Sequence, residues 1–209
     1  ILFDQTRTVL KADHNLSNVT FCDCQVYGGT IYGSLEPYTD LFQFNSAVGV
    51  GYSGAVIFDN VNVQNALGRI ISLNTQNCVS GLTITSCDWA SWAQASSISS
   101  PTAAFYTAPA FTGARISFVG NQLRNGNLTY GVGINLQGAS SVVICGNRFT
   151  NNQTCIIANV GTFSQVRIYA NSSENTQGTA CLNLVGAAIN ERGNKWAKPA
   201  TVKVSNDPW

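Results

Sequence analysis

Apolar and polar positions recur along this chain in an eight-residue phrase that returns seven times, beginning at Val19, Val56, Leu82, Ile116, Val142, Val166 and Ile189. Position one is apolar in every copy. Position three holds Phe21, Phe58, Ile84, Phe118, Ile144 and Ile168 before Glu191 breaks the series. A period of two, rich in β-branched and aromatic residues, predicts a strand, because successive side chains of a strand point to opposite faces. Positions one and three therefore line an interior, and position two faces out. Position five holds Asp23, Asn60, Ser86, Gly120, Gly146, Ala170 and Gly193, mostly residues that tolerate a tight or left-handed backbone, so the chain bends there. Position eight returns inward with Val26, Val63, Trp89, Leu123, Phe149, Ser173 and Trp196. A second short strand follows in the regular turns at 134–136, 156–158 and 182–184, which gives each turn at least two strands and a bend.

The sixth position sets the register: Cys24, Val61, Cys87, Asn121, Asn147, Asn171 and Asn194 stand 37, 26, 34, 26, 24 and 23 residues apart. Near-equal spacing of this size predicts a coil of similar turns, with insertions in the two long gaps, at 27–53 and 90–112. Stacked turns place each strand about 4.8 Å from its copy, in parallel, so backbone groups pair between turns. The architecture expected is all-β, a single-stranded parallel β-helix of about seven turns spanning 1–209 as one domain. Its hand is right, the usual sense of parallel crossovers. Stacked Asn121, Asn147, Asn171 and Asn194 predict an amide ladder, each side chain donating one way and accepting the other, while Cys24, Val61 and Cys87 fill the same column with small apolar groups. Glu191 and Ser173 in interior columns predict that the coil ends near 196, with 197–209 as an irregular tail or a covering strand.

The phrase apolar-x-apolar-x-Gly-Asn-x-apolar, as in 142–149, resembles the turns of right-handed β-helix proteins of the pectin-lyase-like kind, over residues 19–196. Within that group, the Gly, Ser, Asn and Thr texture with long aromatic insertions is most similar to the shaft of a phage tailspike or tail fibre. The resemblance implies a virion protein that recognises bacterial surface polysaccharide and assembles as a homotrimer, with Ile57 and Val143 in the outward column as residues a subunit contact would cover.

Composition narrows the choice. Charged residues make up 10% of the chain, 11 basic against 10 acidic, which argues against a nucleic-acid partner. No apolar run approaches the 18 residues of a membrane span. The chain begins at Ile1 and has no methionine, so a fragment of a longer protein is expected. The seven cysteines lack the even spacing of a disulfide framework and read as small core residues; Cys155 and Cys181 match in neighbouring turns, and whether they pair is left open. No metal site and no cofactor are expected.

Function is expected in the insertions, since a regular coil uses longer loops to build surface. Aromatic rings beside polar groups suit a saccharide, the ring covering C–H surface and the polar groups taking hydroxyls. Tyr32, Tyr38, Trp92 and Tyr106 are the candidate glycan-binding residues, Trp92 as the surface ring and Trp89 as core. Cleavage would need two carboxyl groups about 5–9.5 Å apart. The candidates are Glu36, Asp40 and Asp88, the last in an outward column beside Asn62 and Gln122. The phrase at 13–16, with the sole histidine, His14, faintly echoes an Asp-His phrase of pectate lyases without its Trp-Ile flank, and the polygalacturonase phrases are absent. Three readings stand: a polysaccharide-binding segment, a polysaccharide depolymerase acting as glycosidase or lyase, and a purely structural shaft.

Overall fold

The computed structural model describes residues 1–6, 8–13, 18–28, 39–45, 54–75, 78–95, 97–111, 115–138, 141–160, 165–186, 189–198 and 200–204. Among the described residues are 22 strands and no helix. The first six octets each supply two strands, one on either side of the bend, as in Arg115–Val119 and Gln122–Arg124, and a third strand such as Gly131–Leu136 closes the turn; the last octet supplies Ile189–Arg192 and then a single bridge from Lys195 to Ser172. Strands of one kind pair only with their own kind in adjacent turns, giving a first sheet of seven strands, a second of seven and a third of eight. All pairings are parallel, and the chain is a parallel β-helix.

The files of like residues follow the sequence period. Val19, Val56, Leu82, Ile116, Val142, Val166 and Ile189 lie in successive register on the first sheet, beside the file Phe21, Phe58, Ile84, Phe118, Ile144, Ile168 and Glu191. Val26, Val63, Trp89, Leu123, Phe149 and Ser173 form the matching file of the second sheet. Stacked parallel strands bring each ring over the next: Phe21 and Phe58 stack at 4.9 Å, and Phe42 meets both edge-on. At the far end Glu191 enters the file as a carboxylate and is satisfied there, accepting from Asn194 Nδ2 and Trp196 Nε1.

Two bends turn each coil. At position five Asp23, Asn60, Ser86, Gly120, Gly146, Ala170 and Gly193 all have left-handed φ of 50–70°. A second left-handed column, absent from the sequence reading, follows the second sheet at Asn65, Ser91, Asn125, Asn151 and Asn175. Beside the first bend runs the amide ladder. Asn147 Nδ2 donates to Asn171 Oδ1 at 2.9 Å and to Phe118 O at 2.9 Å, while its own Oδ1 accepts from Asn121 N and Nδ2. The thiol column copies this geometry more weakly: Cys87 Sγ accepts from Val61 N at 3.4 Å and faces Phe58 O at 3.7 Å, as Asn121 accepts from Cys87 N and donates to Ile84 O. Cys87 is thus a polar rung as well as a packed body.

The stretches expected to be insertions each contribute a strand of the third sheet, Phe42–Phe44 and Thr102–Thr107, and Phe42, Phe44, Phe105 and Phe111 are core. The tail beyond 197 contains a strand, Ala200–Val204, paired with Leu182–Gly186.

Candidate functional site

The outer face of the second sheet is built from side chains on either side of the buried file. One outward column reads Gln25, Asn62, Asp88, Gln122, Arg148 and Ser172, and the other Tyr27, Gln64, Ala90, Arg124, Thr150 and Glu174. Strand pleating puts both columns on one surface. Its charges are paired across turns. Arg124 donates from Nε and Nη2 to the two oxygens of Asp88 at 2.8 and 2.7 Å, and Arg148 Nη2 donates to both oxygens of Glu174 at 3.0 and 2.8 Å. The Asp88 hydrogen bond raises the Arg124 pKa further.

Among the described residues, two depressions lie on this side of the coil. A small one of about 110 Å³ is lined by Gln25, Tyr27, Asn62, Gln64 and Asp88. The other, an open cleft of about 720 Å³, runs beside the second bend and is lined by Ser91, Gln94, Asn125, Asn127, Asn151 and Gln177, with Leu128 at its rim. The left-handed backbone at Ser91, Asn125 and Asn151 turns these side chains outward at successive levels. They are held in place locally: Asn151 Nδ2 donates to Asn125 Oδ1 at 2.8 Å, Gln94 Nε2 to Trp92 O at 2.8 Å, and Asn127 Oδ1 accepts from the backbone of Thr129 and Tyr130. The cleft lining contains no charged side chain, only amides, hydroxyls and one aliphatic rim residue. Such a surface offers both donors and acceptors to a neutral polyhydroxylated ligand.

The sequence candidates separate. Trp92 is corrected from surface to core: its ring is fully buried and donates from Nε1 to Val132 O at 2.9 Å. It lies directly beneath the cleft, where a Cβ on Gly126 would come within 2.6 Å of the ring. The chain folds back after the second bend, through left-handed Ala93, and carries Trp92 inward. Asp40 is likewise buried, with Oδ1 accepting from Arg69 N at 2.9 Å and Oδ2 3.7 Å from the Arg69 guanidinium. That guanidinium also covers one face of Tyr106, 3.7 Å from the ring centre. Arg69 therefore joins Asp40 and Tyr106 into one cluster at the third sheet, apart from Asp88 on the second. Asp40 is a structural acceptor here and is not placed to act with Asp88 as an acid and base pair. Asp88 is half-buried with both oxygens already accepting from Arg124. Tyr32, Tyr38, Glu36 and His14 lie outside the described residues.

The residues that sequence reasoning passed over are Gln25 and Gln64 on the face, and Asn125, Asn127, Asn151 and Gln177 in the cleft. Part of their signal was present just past the octet, with Gln64, Arg124 and Glu174 at position nine and Asn65, Asn125, Asn151 and Asn175 at ten, while Gln25 stands at seven and Asn127 and Gln177 at twelve. Among the described residues no group of three or more His, Cys, Asp or Glu side chains could hold a metal ion, and no helix is long and apolar enough to cross a membrane. Comparison of the chain with protein-family models, curated proteins and solved structures finds no match.

Proposed function

We propose that this chain is a polysaccharide-binding β-helical segment of the tailspike kind, taking a neutral or weakly charged bacterial surface glycan along the second sheet and its adjoining cleft. The observation that carries the proposal is the uncharged, amide-lined cleft of about 720 Å³ continuing the level of the polar face. Its polar lining is supplied by successive turns about 4.8 Å apart, a spacing close to that of successive sugars in an extended chain. Tyr27, at the edge of the smaller depression, supplies the exposed ring. The proposal is of binding without cleavage, because among the described residues the two depressions hold one carboxylate between them, Asp88, and a glycosidase of the usual kind needs two. The tailspike resemblance adds a virion setting and a homotrimer, which light scattering of the protein in solution decides.

The test is retention of capsule and O-antigen polysaccharides on immobilised protein, with released reducing ends and unsaturated products assayed in parallel. Retention without products is expected. Tyr27→Ala and Asn151→Ala are each expected to weaken it roughly five- to thirty-fold, the loss of one ring contact or one hydrogen-bonding group. Products in the parallel assay would make the chain a depolymerase. Failure to retain any glycan, or variants that bind as the parent does, would leave the face without this role.

A further inference from the structure

Cys155 and Cys181 occupy adjacent turns of the third sheet, just ahead of the registered pair Ile156 and Leu182, and Cys155 N donates to Cys181 O at 2.9 Å. Neighbouring parallel strands stand about 4.8 Å apart, within the range over which two cysteines can be bridged. Both are free thiols and both are buried. What sets Cys181 apart from the other buried cysteines is its surroundings. Its sulfur lies 3.2 Å from Lys198 N, 3.2 Å from Ser173 Oγ and 3.2 Å from Thr176 Oγ1. The backbone N–H can only donate. Ser173 Oγ already accepts from Ala197 N at 2.9 Å, which leaves its own proton for the sulfur. Thr176 Oγ1 stands between the two thiols, 3.7 Å from Cys155 Sγ.

Such a nest of donors favours the ionised sulfur. Burial pushes Cys78 up to about 11 and Cys87 up to about 12. Cys181 goes the other way, down to about 5, chiefly through the hydrogen bond from Cys155, with Ser173, Thr176 and the Lys198 amide overcoming its burial. Cys155, the donor of that bond, is raised.

We propose that Cys181 is a nucleophilic thiolate and Cys155 its resolving thiol, forming a two-cysteine site that a hydroperoxide oxidises to a disulfide between adjacent turns. The Cys181 sulfur attacks one oxygen of hydrogen peroxide; the O–O bond breaks, an S–O bond forms, and hydroxide leaves, giving a sulfenic acid. The Cys155 sulfur then attacks Cys181; the S–O bond breaks, the S–S bond forms, and water leaves with the Cys155 proton. The two sulfurs lose two electrons in all, and the peroxide is reduced to water and hydroxide. Ala197 and Lys198, both exposed, are held to the site by their contacts to Ser173 and Cys181.

The experiment treats the folded full chain with hydrogen peroxide near neutral pH, blocks remaining thiols under denaturing conditions and maps the peptides by mass spectrometry. A linked Cys155–Cys181 peptide is expected, with Cys78 and Cys87 unchanged and the melting temperature raised by roughly 5–10 °C, reversibly on reduction. In Cys155→Ser, dimedone is expected to label Cys181; in Cys181→Ser, neither link nor label forms. Should either variant fail to fold, iodoacetamide on the parent serves, with Cys181 expected to alkylate at least tenfold faster than Cys78. Oxidation of Cys181 no faster than Cys78, a label on Cys155 instead, or unlinked cysteines after treatment would overturn the proposal.

Discussion

At the scale of single residues, the ladder shows how one side chain stabilises several backbone groups at once. Asn147 is buried and makes contacts near 2.9 Å to the turns on either side, one of which satisfies Phe118 O. Replacing it with alanine leaves Asn121 N and Phe118 O without partners in the interior, a loss of about 3–4 kcal/mol when two buried groups are orphaned. Asn152 is equally buried, but its contacts to Leu123 O and Gly126 N are 3.2 and 3.4 Å. Asn152→Ala is expected to cost about 1–2 kcal/mol. Denaturant unfolding measures both, and equal losses would mean that the amide file is not a special source of stability. The residue scale is also where side-chain type alone misleads. Trp92 and Asp40 are an aromatic and an acid in long, irregular stretches of sequence, yet each is buried with specific partners, Trp92 donating to Val132 O and Asp40 meeting both the backbone N–H and the guanidinium of Arg69.

At the scale of the strand and the bend, the left-handed columns separate backbone strain from packing. Gly120 has φ of +67° with nothing within 4 Å of where a Cβ would stand, so Gly120→Ala tests the backbone alone. It is expected to cost about 1 kcal/mol, and Ala170→Gly, at φ 55° in the same column, to stabilise by about as much. Thermal melts of the two variants should move in opposite directions; movement in the same direction would assign the bend's stability to something other than φ. This column was readable in sequence because Gly, Asn, Asp and Ser gather at one offset from a period-two strand. The third sheet was only partly readable. Thr102–Thr107 and Gly131–Leu136 are buried on consecutive positions rather than alternate ones, which erases the period, and they follow the octets at unequal distances. For that reason Phe105 and Phe111, which are core, read as part of an aromatic insertion. The candidate face was least readable of all, because outward Gln, Asn and Arg obey no hydropathy pattern and become a surface only once the turns are stacked.

At the scale of the whole molecule, every described strand pairs only with its copies one turn before and one turn after, so among the described residues no hydrogen-bonded ladder links distant turns directly. A protein coupled in this way is close to one-dimensional: the stability of each turn is its own plus that of two interfaces, and a terminal turn has only one. Opening should therefore begin at the described ends and travel inward, and local free energies of exchange should fall from the middle outward. Hydrogen exchange followed by mass spectrometry is expected to find the slowest amides in Arg115–Val119 and Ser141–Cys145, which have paired strands on both sides within the first sheet. The fastest should lie in Leu2–Thr6, which pairs on one side only. The amide ladder sharpens the gradient in one direction, because Asn121, Asn147 and Asn171 strengthen the later turns while Val61 and Cys87 give the earlier ones weaker rungs. Protection should accordingly fall more steeply toward Leu2–Thr6 than toward Ile189–Arg192. Uniform protection along the rod would mean that it opens as a single cooperative unit and that coupling between turns exceeds what nearest-neighbour stacking supplies.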